Sequence, residues 1–125
     1  MAISPQIYVG LEFKPAITQT NDITSAVNDA LHISFDKLKS PDRHMEIKEA
    51  RHIAIALIRD RTGMTLKHIG SLFNRDHSTV LSSIKFYTNL YGRDPGFTEK
   101  VDKVKARIWE KLKINDAYLH QVHQL

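Results

Sequence analysis

One short segment, residues 66–81 (LKHIGSLFNRDHSTVL), restricts the fold more than any other part of the chain. Two helices can cross closely only over a small residue, and Gly70 supplies one in the first half of the segment. Four residues later the connecting turn favours left-handed backbone, which Asn74 tolerates better than most residues. Six residues further on, the β-branched Val80 can fill the angle between the helices. These three spacings together predict a helix-turn-helix.

Apolar residues recur every three or four positions through most of the chain upstream of this segment. The spacing predicts a first helix from residue 22, a short helical turn at residues 34–38, and a central helix from residue 46 that Gly63 ends. Because the central helix is apolar on all sides over residues 53–58, we expect neighbours to pack on several of its faces.

The two ends of the chain differ in pattern. Thr65 is placed to cap the first helix of the helix-turn-helix, and Thr98 to cap a last helix. Residues 1–21 contain two prolines and have no helical period, so we interpret them as an extended N-terminal arm. We therefore predict an all-α fold of five or six helices, with a Trp-repressor-like helix-turn-helix, in one domain at residues 22–125.

The positive charge of the chain is concentrated in its middle. Residues 31–93 hold eleven Lys and Arg against six acidic residues, in a chain of formal net charge +4. A basic centre favours a polyanionic partner, because each cation near a phosphate releases condensed counterions. The sequence has no cysteine, and it shows no apolar run of membrane-spanning length and no signal-peptide pattern. We therefore expect a cytoplasmic protein with no membrane contact.

The same segment resembles a known family, the C-terminal DNA-binding domain (domain IV) of the bacterial chromosomal replication initiator DnaA. The likeness covers roughly residues 22–112 and is strongest in the string RDHSTVL at residues 75–81. Further residues that carry it are Ala50, Arg51, Ile53, Ala54, Leu66, Ile69, Gly70 and Phe73.

The resemblance implies that the second helix of the motif enters the major groove of duplex DNA. It implies base contacts from Asp76, His77 and Ser78, and a contact of Thr79 with bases or phosphate. The chemistry agrees, because a carboxylate can accept from a cytosine amino group and a helix N-terminus favours phosphate. The arginine that the family inserts into the minor groove corresponds to Arg51.

Basic residues around this helix are the candidate phosphate contacts. The resemblance implies a basic loop at residues 39–44, in which Lys39 and Arg43 would contact phosphates. Lys85 shares the outward face of the second helix with two serines, which makes it a further candidate. Lys67 and Arg75 complete the set of predicted DNA-binding residues.

Structural roles compete with several of these contacts. Asp76 is also typical of a helix cap, and Arg51 can pair with Glu46 or Glu49 on its own helix. Arg75 can support the turn instead of reading a base. Lys67 and Lys85 are also compatible with solvated surface charges.

The chain departs from the family pattern in three places. Asn74 alone precedes the RDH string, so the turn is one residue shorter than usual. Ser78 replaces the commoner threonine and lacks a methyl group to press against thymine. Pro41 and Asp42 make the basic loop less basic. The preferred DNA sequence of the family therefore does not transfer directly.

The sequence gives no indication of an enzyme or a cofactor. It contains no G-x-x-x-x-G-K-[ST] loop, so we expect no ATPase. Asp76, His77 and Ser78 are the residue types of a hydrolase triad, but neighbours on one helix point about 100° apart and cannot form a relay. His120 and His123 have helical spacing without further ligands, so we expect no metal site.

We therefore expect sequence-specific binding of duplex DNA in replication initiation or its regulation, with a replication protein as a second candidate partner. Two alternatives keep the same fold, namely a protein-interaction module and a transcription regulator. A third alternative is a non-specific DNA coat. The sequence does not fix the oligomeric state.

Overall fold

The computed structural model describes the backbone of residues 16–123 and the side chains of residues 19–113. Over this range the regular secondary structure is entirely helical, as predicted. The helices in chain order are α1 (Ala16–Leu31), α2 (Phe35–Lys39), α3 (Met45–Thr62), α4 (Leu66–Phe73), α5 (His77–Leu90) and α6 (Pro95–His123).

The helix α3 lies at the centre of the fold. All of residues 53–58 are buried, which confirms the expectation drawn from their apolar sequence. Both α1 and α5 pack against α3, and α6 lies along α1. Phe73 of α4, Val80 of α5 and Phe97 of α6 enter the same core. The helix-turn-helix is therefore built directly onto the central helix.

Two helices begin earlier than the sequence pattern indicated. The helix α1 starts at Ala16, so residues 16–21 are helical and not extended. The rest of the predicted arm, residues 1–15, lies outside the described residues.

The second early start is that of α6 at Pro95. The Asp94 carboxylate accepts the N–H of Phe97 at 2.9 Å, which is the capping role predicted for Thr98. The Thr98 hydroxyl accepts the N–H of Gly92 at 2.8 Å instead. Proline suits the first turn of a helix because its ring fixes φ near the helical value.

The boundary between α3 and α4 agrees with prediction. Gly63 adopts left-handed backbone with φ of 69° and ends α3. The Thr65 hydroxyl accepts the N–H of His68 at 3.1 Å and caps α4. In the described part of the chain, none of the helices is both long enough and apolar enough to cross a membrane.

Candidate nucleic-acid interface

The turn between α4 and α5 has the geometry that its three marker residues predicted. A Cβ atom on Gly70 would lie 2.3 Å from the carbonyl oxygen of Arg75, so only glycine permits this crossing. Asn74 has left-handed backbone with φ of 58° and ψ of 41°. Val80 is completely buried between the helices. The helix-turn-helix is confirmed.

The N-terminus of α5 presents a cluster of exposed polar side chains. Asp76 caps the helix, and its Oδ1 accepts the N–H of Thr79 at 2.9 Å and the hydroxyl of Ser78 at 2.8 Å. These bonds, chiefly that from the Thr79 N–H, lower the pKa of the Asp76 carboxyl. Asp76, His77, Ser78 and Thr79 are all exposed. The capping role of Asp76 is therefore established, and its ionised carboxylate retains lone pairs for a further donor.

Arg51 is directed into the protein. Its side chain is 6% exposed. The guanidinium donates to the carbonyl oxygens of Leu38 at 2.7 Å, Ser40 at 3.1 Å and Asp42 at 2.9 Å. Burial lowers the pKa of Arg51, and the nearby charge of Arg75 lowers it further. The Nε and Nη2 groups of Arg51 are thus engaged by backbone carbonyls at residues 38–42, which gives Arg51 a structural role, and its minor-groove contact stays a prediction.

The alternative role for Arg51, an ion pair with a glutamate of its own helix, does not fit Glu49. The Glu49 carboxylate binds Lys100 Nζ of α6 at 2.5 Å, while the Arg51 guanidinium faces the loop that precedes α3. Arg51, for which the sequence predicted a DNA contact, therefore supports the basic loop.

Arg75 holds the same loop from the other side. Its guanidinium donates to the carbonyl oxygens of Lys39 at 2.9 Å and Ser40 at 2.7 Å. It also donates to the carbonyl oxygen of Phe73 at the end of α4, at 2.7 Å. These contacts favour the structural alternative for Arg75 over base reading. Because Arg75 directly precedes the cap of α5, it ties the basic loop to the start of that helix.

The acidic residue of the basic loop is locally paired. Asp42 accepts the N–H of His44 at 2.9 Å and lies 3.3 Å from Lys37 Nζ. The His44 backbone N–H is the main cause that lowers the pKa of Asp42 to about 2. Arg43, between these residues, is exposed. From the sequence we expected Asp42 to make the loop less basic. In the structure Asp42 is paired with Lys37 and His44.

The other lysines predicted to contact DNA differ in how far their side chains are exposed to solvent. Lys67 on α4 and Lys85 on α5 are exposed. Lys39 is half-buried, with its Nζ 4.8 Å from the centre of the Phe35 ring and 3.6 Å from Asp36. The structure thus brings the basic loop beside the start of α5, and it leaves Arg43, the arginine of that loop, exposed.

Sequence reasoning missed a polar contact between the central helix and α5. His52 Nδ1 lies 2.9 Å from the Ser83 hydroxyl, and its ring packs against Phe86 at 4.3 Å between centres. Burial, followed by the charges of Arg51 and Lys48, lowers the pKa of His52 to about 4. A histidine in an otherwise apolar helical stretch was the available signal for such a contact.

Among the side chains that the structure describes, no group of three or more His, Cys, Asp or Glu residues is placed to hold a metal ion. His120 and His123 lie beyond residue 113 and outside the described side chains.

A capped, exposed helix set on a tight turn beside a fixed basic loop defines a DNA-binding domain of the helix-turn-helix class. Residues 20–86, more than half of the chain, match the family described as the bacterial DnaA protein helix-turn-helix. The chain belongs to this family, which confirms the resemblance seen in the sequence.

The chain is similar to chromosomal replication initiator proteins DnaA of several bacteria. It is 40% identical over 76 residues to that of Bifidobacterium animalis subsp. lactis, and 31% identical over 107 residues to that of a Picosynechococcus species. It is 35% identical over 86 residues to that of Lactococcus lactis subsp. cremoris. The matches cover 60%, 85% and 68% of this chain, but 12%, 23% and 19% of those relatives. The chain thus spans less than a quarter of the length of each of these relatives.

Proposed function

We propose that this chain binds duplex DNA in a sequence-specific manner and acts in the initiation of replication or in its regulation. The observation that carries the proposal is the bridge made by Arg75, which joins the backbone of Lys39 and Ser40 to the start of α5. Because of this bridge the basic loop and the reading helix form one surface, and a duplex can contact both at once. The replicative role rests on the similarity of the chain to chromosomal replication initiator proteins.

The first turn of α5 reads bases in the major groove. Asp76 accepts from a cytosine amino group while it continues to cap the helix, and His77 and Ser78 donate to or accept from neighbouring base edges. Thr79 lies at the same helix end, where free backbone N–H groups and the helix dipole favour phosphate. The support for these roles is the exposure of all four side chains at the helix N-terminus.

The basic loop contacts the DNA backbone beside the major groove, and Arg43 is the arginine that enters the minor groove. Arg43 is exposed and lies between two backbone positions that the fold holds in place, whereas Arg51 is buried. A narrow minor groove has an enhanced negative potential that attracts an arginine side chain. Lys39, Lys67 and Lys85 supply phosphate contacts.

Selection of sites from random duplexes tests this function. We expect one short asymmetric motif to be enriched, because a single helix and a single loop read the DNA. Binding to the selected duplex should weaken steeply as salt rises, with a slope that reports the phosphate contacts. A selection without an enriched motif would contradict sequence-specific binding, and salt-independent binding would contradict a phosphate-contacting surface.

The replicative role needs its own test. The selected motif should recur as a cluster near the replication origin of the genome that encodes the chain. A distribution over promoters instead would favour the alternative of a transcription regulator.

A further inference from the structure

Large apolar side chains are exposed at three positions in the part of the chain whose side chains are described: Met45, Leu81 and Trp109. Of these three, Leu81 is the one on α5, where its exposed fraction is 39%. The buried side of α5 is formed by other residues, among them Val80 and Ser83. Leu81 is neither part of the hydrophobic core nor among the partly buried residues packed against it, so the core does not account for a leucine at this position.

The position of Leu81 on α5 directs it to the same side as the polar cluster. Successive helical residues turn by about 100°, so Leu81 points within about 40° of His77 and Lys85 and within about 60° of Ser78. All of these neighbours are exposed. The sequence of α5, HSTVLSSIKFYTNL, contains no acidic residue, so its outward face carries no charge that repels DNA.

Two short side chains flank Leu81 on the outward side of α5. Ser78 and Ser82 are short and exposed, so the leucine projects beyond them from the second turn of the helix. Ser78 has no methyl group of its own, and Leu81 is the large apolar side chain nearest to it on this face.

We propose that Leu81 is a specificity-determining residue that packs against the C5-methyl group of a thymine in the major groove. This inference rests on the proposed binding of duplex DNA through α5. The thymine methyl is the apolar feature that base pairs present in the major groove, where the other groups at the base edges are hydrogen-bond donors and acceptors. Contact with that methyl group removes part of the exposed leucine surface from water, and this burial favours binding.

Replacement of thymine by deoxyuridine tests the contact, because it removes the methyl group and keeps the base pairing. In the selected duplex each thymine is replaced in turn, and the Kd is measured for the wild-type chain and for Leu81→Ala. The wild-type chain should bind about four-fold more weakly when one particular thymine is replaced, which corresponds to about 0.8 kcal/mol for one buried methyl group. Leu81→Ala should bind the thymine and deoxyuridine duplexes equally at that position.

The controls separate this contact from a general loss of binding. Ser82→Ala, the adjacent exposed residue, should keep the wild-type response to deoxyuridine. Leu81→Gln keeps a similar helix propensity but ends in a polar amide, so it should behave as Leu81→Ala does, which guards against misfolding of one variant.

Two results overturn the inference while sequence-specific binding stands. One is that no thymine in the selected duplex responds to replacement, and the other is that Leu81→Ala responds at the same thymine as the wild-type chain does. If the wild-type chain selects no motif, the proposed function fails first, and the inference that depends on it fails with it.

Discussion

Arg51 and Arg75 donate hydrogen bonds to the same carbonyl oxygen, that of Ser40, at 3.1 Å and 2.7 Å. Arg51 comes from the central helix, and Arg75 from the turn that precedes α5. Two like charges converge here because the backbone of the loop supplies carbonyl acceptors to both. The loop is thereby fastened to the core by one arginine and to the reading helix by the other.

Arg51→Ala should destabilise the fold without removing a DNA contact. The substitution leaves the carbonyl oxygens of Leu38 and Asp42 without their charged donor, while that of Ser40 keeps its bond from Arg75. We expect a loss of about 2–4 kcal/mol in the free energy of unfolding. Arg51→Lys should recover little of it, because an ammonium group does not reproduce the planar set of donors. Urea unfolding measures the effect, with the exposed Arg61→Ala as control. A loss no larger than that of the control would contradict the role of Arg51 in holding the loop.

Arg43→Ala should give the opposite result. Arg43 is exposed, so the free energy of unfolding should change by less than about 0.5 kcal/mol. Binding to the selected duplex should weaken by about ten-fold, and the slope of affinity against salt should fall by about one. Fluorescence anisotropy at several salt concentrations measures both quantities. If Arg43→Ala binds as the wild-type chain does, the loop does not contact DNA through this residue.

Gly70→Ala separates helix propensity from close packing. In an open helix the change would stabilise by up to about 1 kcal/mol, because alanine is the better helix former. The new Cβ would lie 2.3 Å from the Arg75 carbonyl oxygen, so the helices must move apart. We therefore expect a destabilisation of about 2–3 kcal/mol. Thermal unfolding, with Ser71→Ala as control, shows whether the substitution raises or lowers stability. A stabilised Gly70→Ala protein would refute the close crossing of the two helices.

His52 should make stability depend on pH between about 6.5 and 4. The folded chain holds the pKa of His52 at about 4 against an ordinary 6.5, so the unfolded chain takes up the proton first. The contribution is complete above pH 6.5 and is lost as pH falls towards 4. The difference in pKa corresponds to about 3 kcal/mol, which solvent screening of the half-buried ring reduces to about 2 kcal/mol. His52→Gln should flatten this part of the pH profile, measured by urea unfolding. An unchanged profile for His52→Gln would contradict the assignment.

Asp76→Asn and Asp76→Ala distinguish capping from base reading. Asparagine caps a helix about as well as aspartate, so the asparagine variant should keep its thermal unfolding midpoint, while alanine should lower it. If the carboxylate also accepts from a cytosine amino group, both variants should lose preference for that base pair in a repeated selection. An unchanged motif for Asp76→Asn would restrict Asp76 to the cap.

The turn was predictable because its determinants are local. Gly70, Asn74 and Val80 lie within eleven consecutive residues, and each meets a steric requirement that the neighbouring backbone imposes. The same holds for the caps at Thr65 and Asp76, whose side chains bond to an N–H three residues later. The family resemblance came from this same stretch, and the match over residues 20–86 bears it out.

The start of α6 was a harder problem, although it is also local. Both Asp94 and Thr98 are of residue types that cap helices, and the sequence pattern led us to place the cap at Thr98. The carboxylate of Asp94 bonds to the N–H of Phe97, and that places Pro95 in the first turn. Competing caps a few residues apart are separated by small energies, which explains the error.

The sequence by itself determined the helices, the tight turn and the family, because each depends on residues that are neighbours in the chain. Only the tertiary structure decided which arginine faces the solvent. Arg51 meets its acceptors 9 to 13 residues away, and Arg75 meets the carbonyl oxygens of Lys39 and Ser40 some 35 residues away. A guanidinium can bind a phosphate or a set of carbonyls equally well by its chemistry. Which of the two it meets depends on where the folded loop lies, and the spacing of residues along one helix does not contain that information.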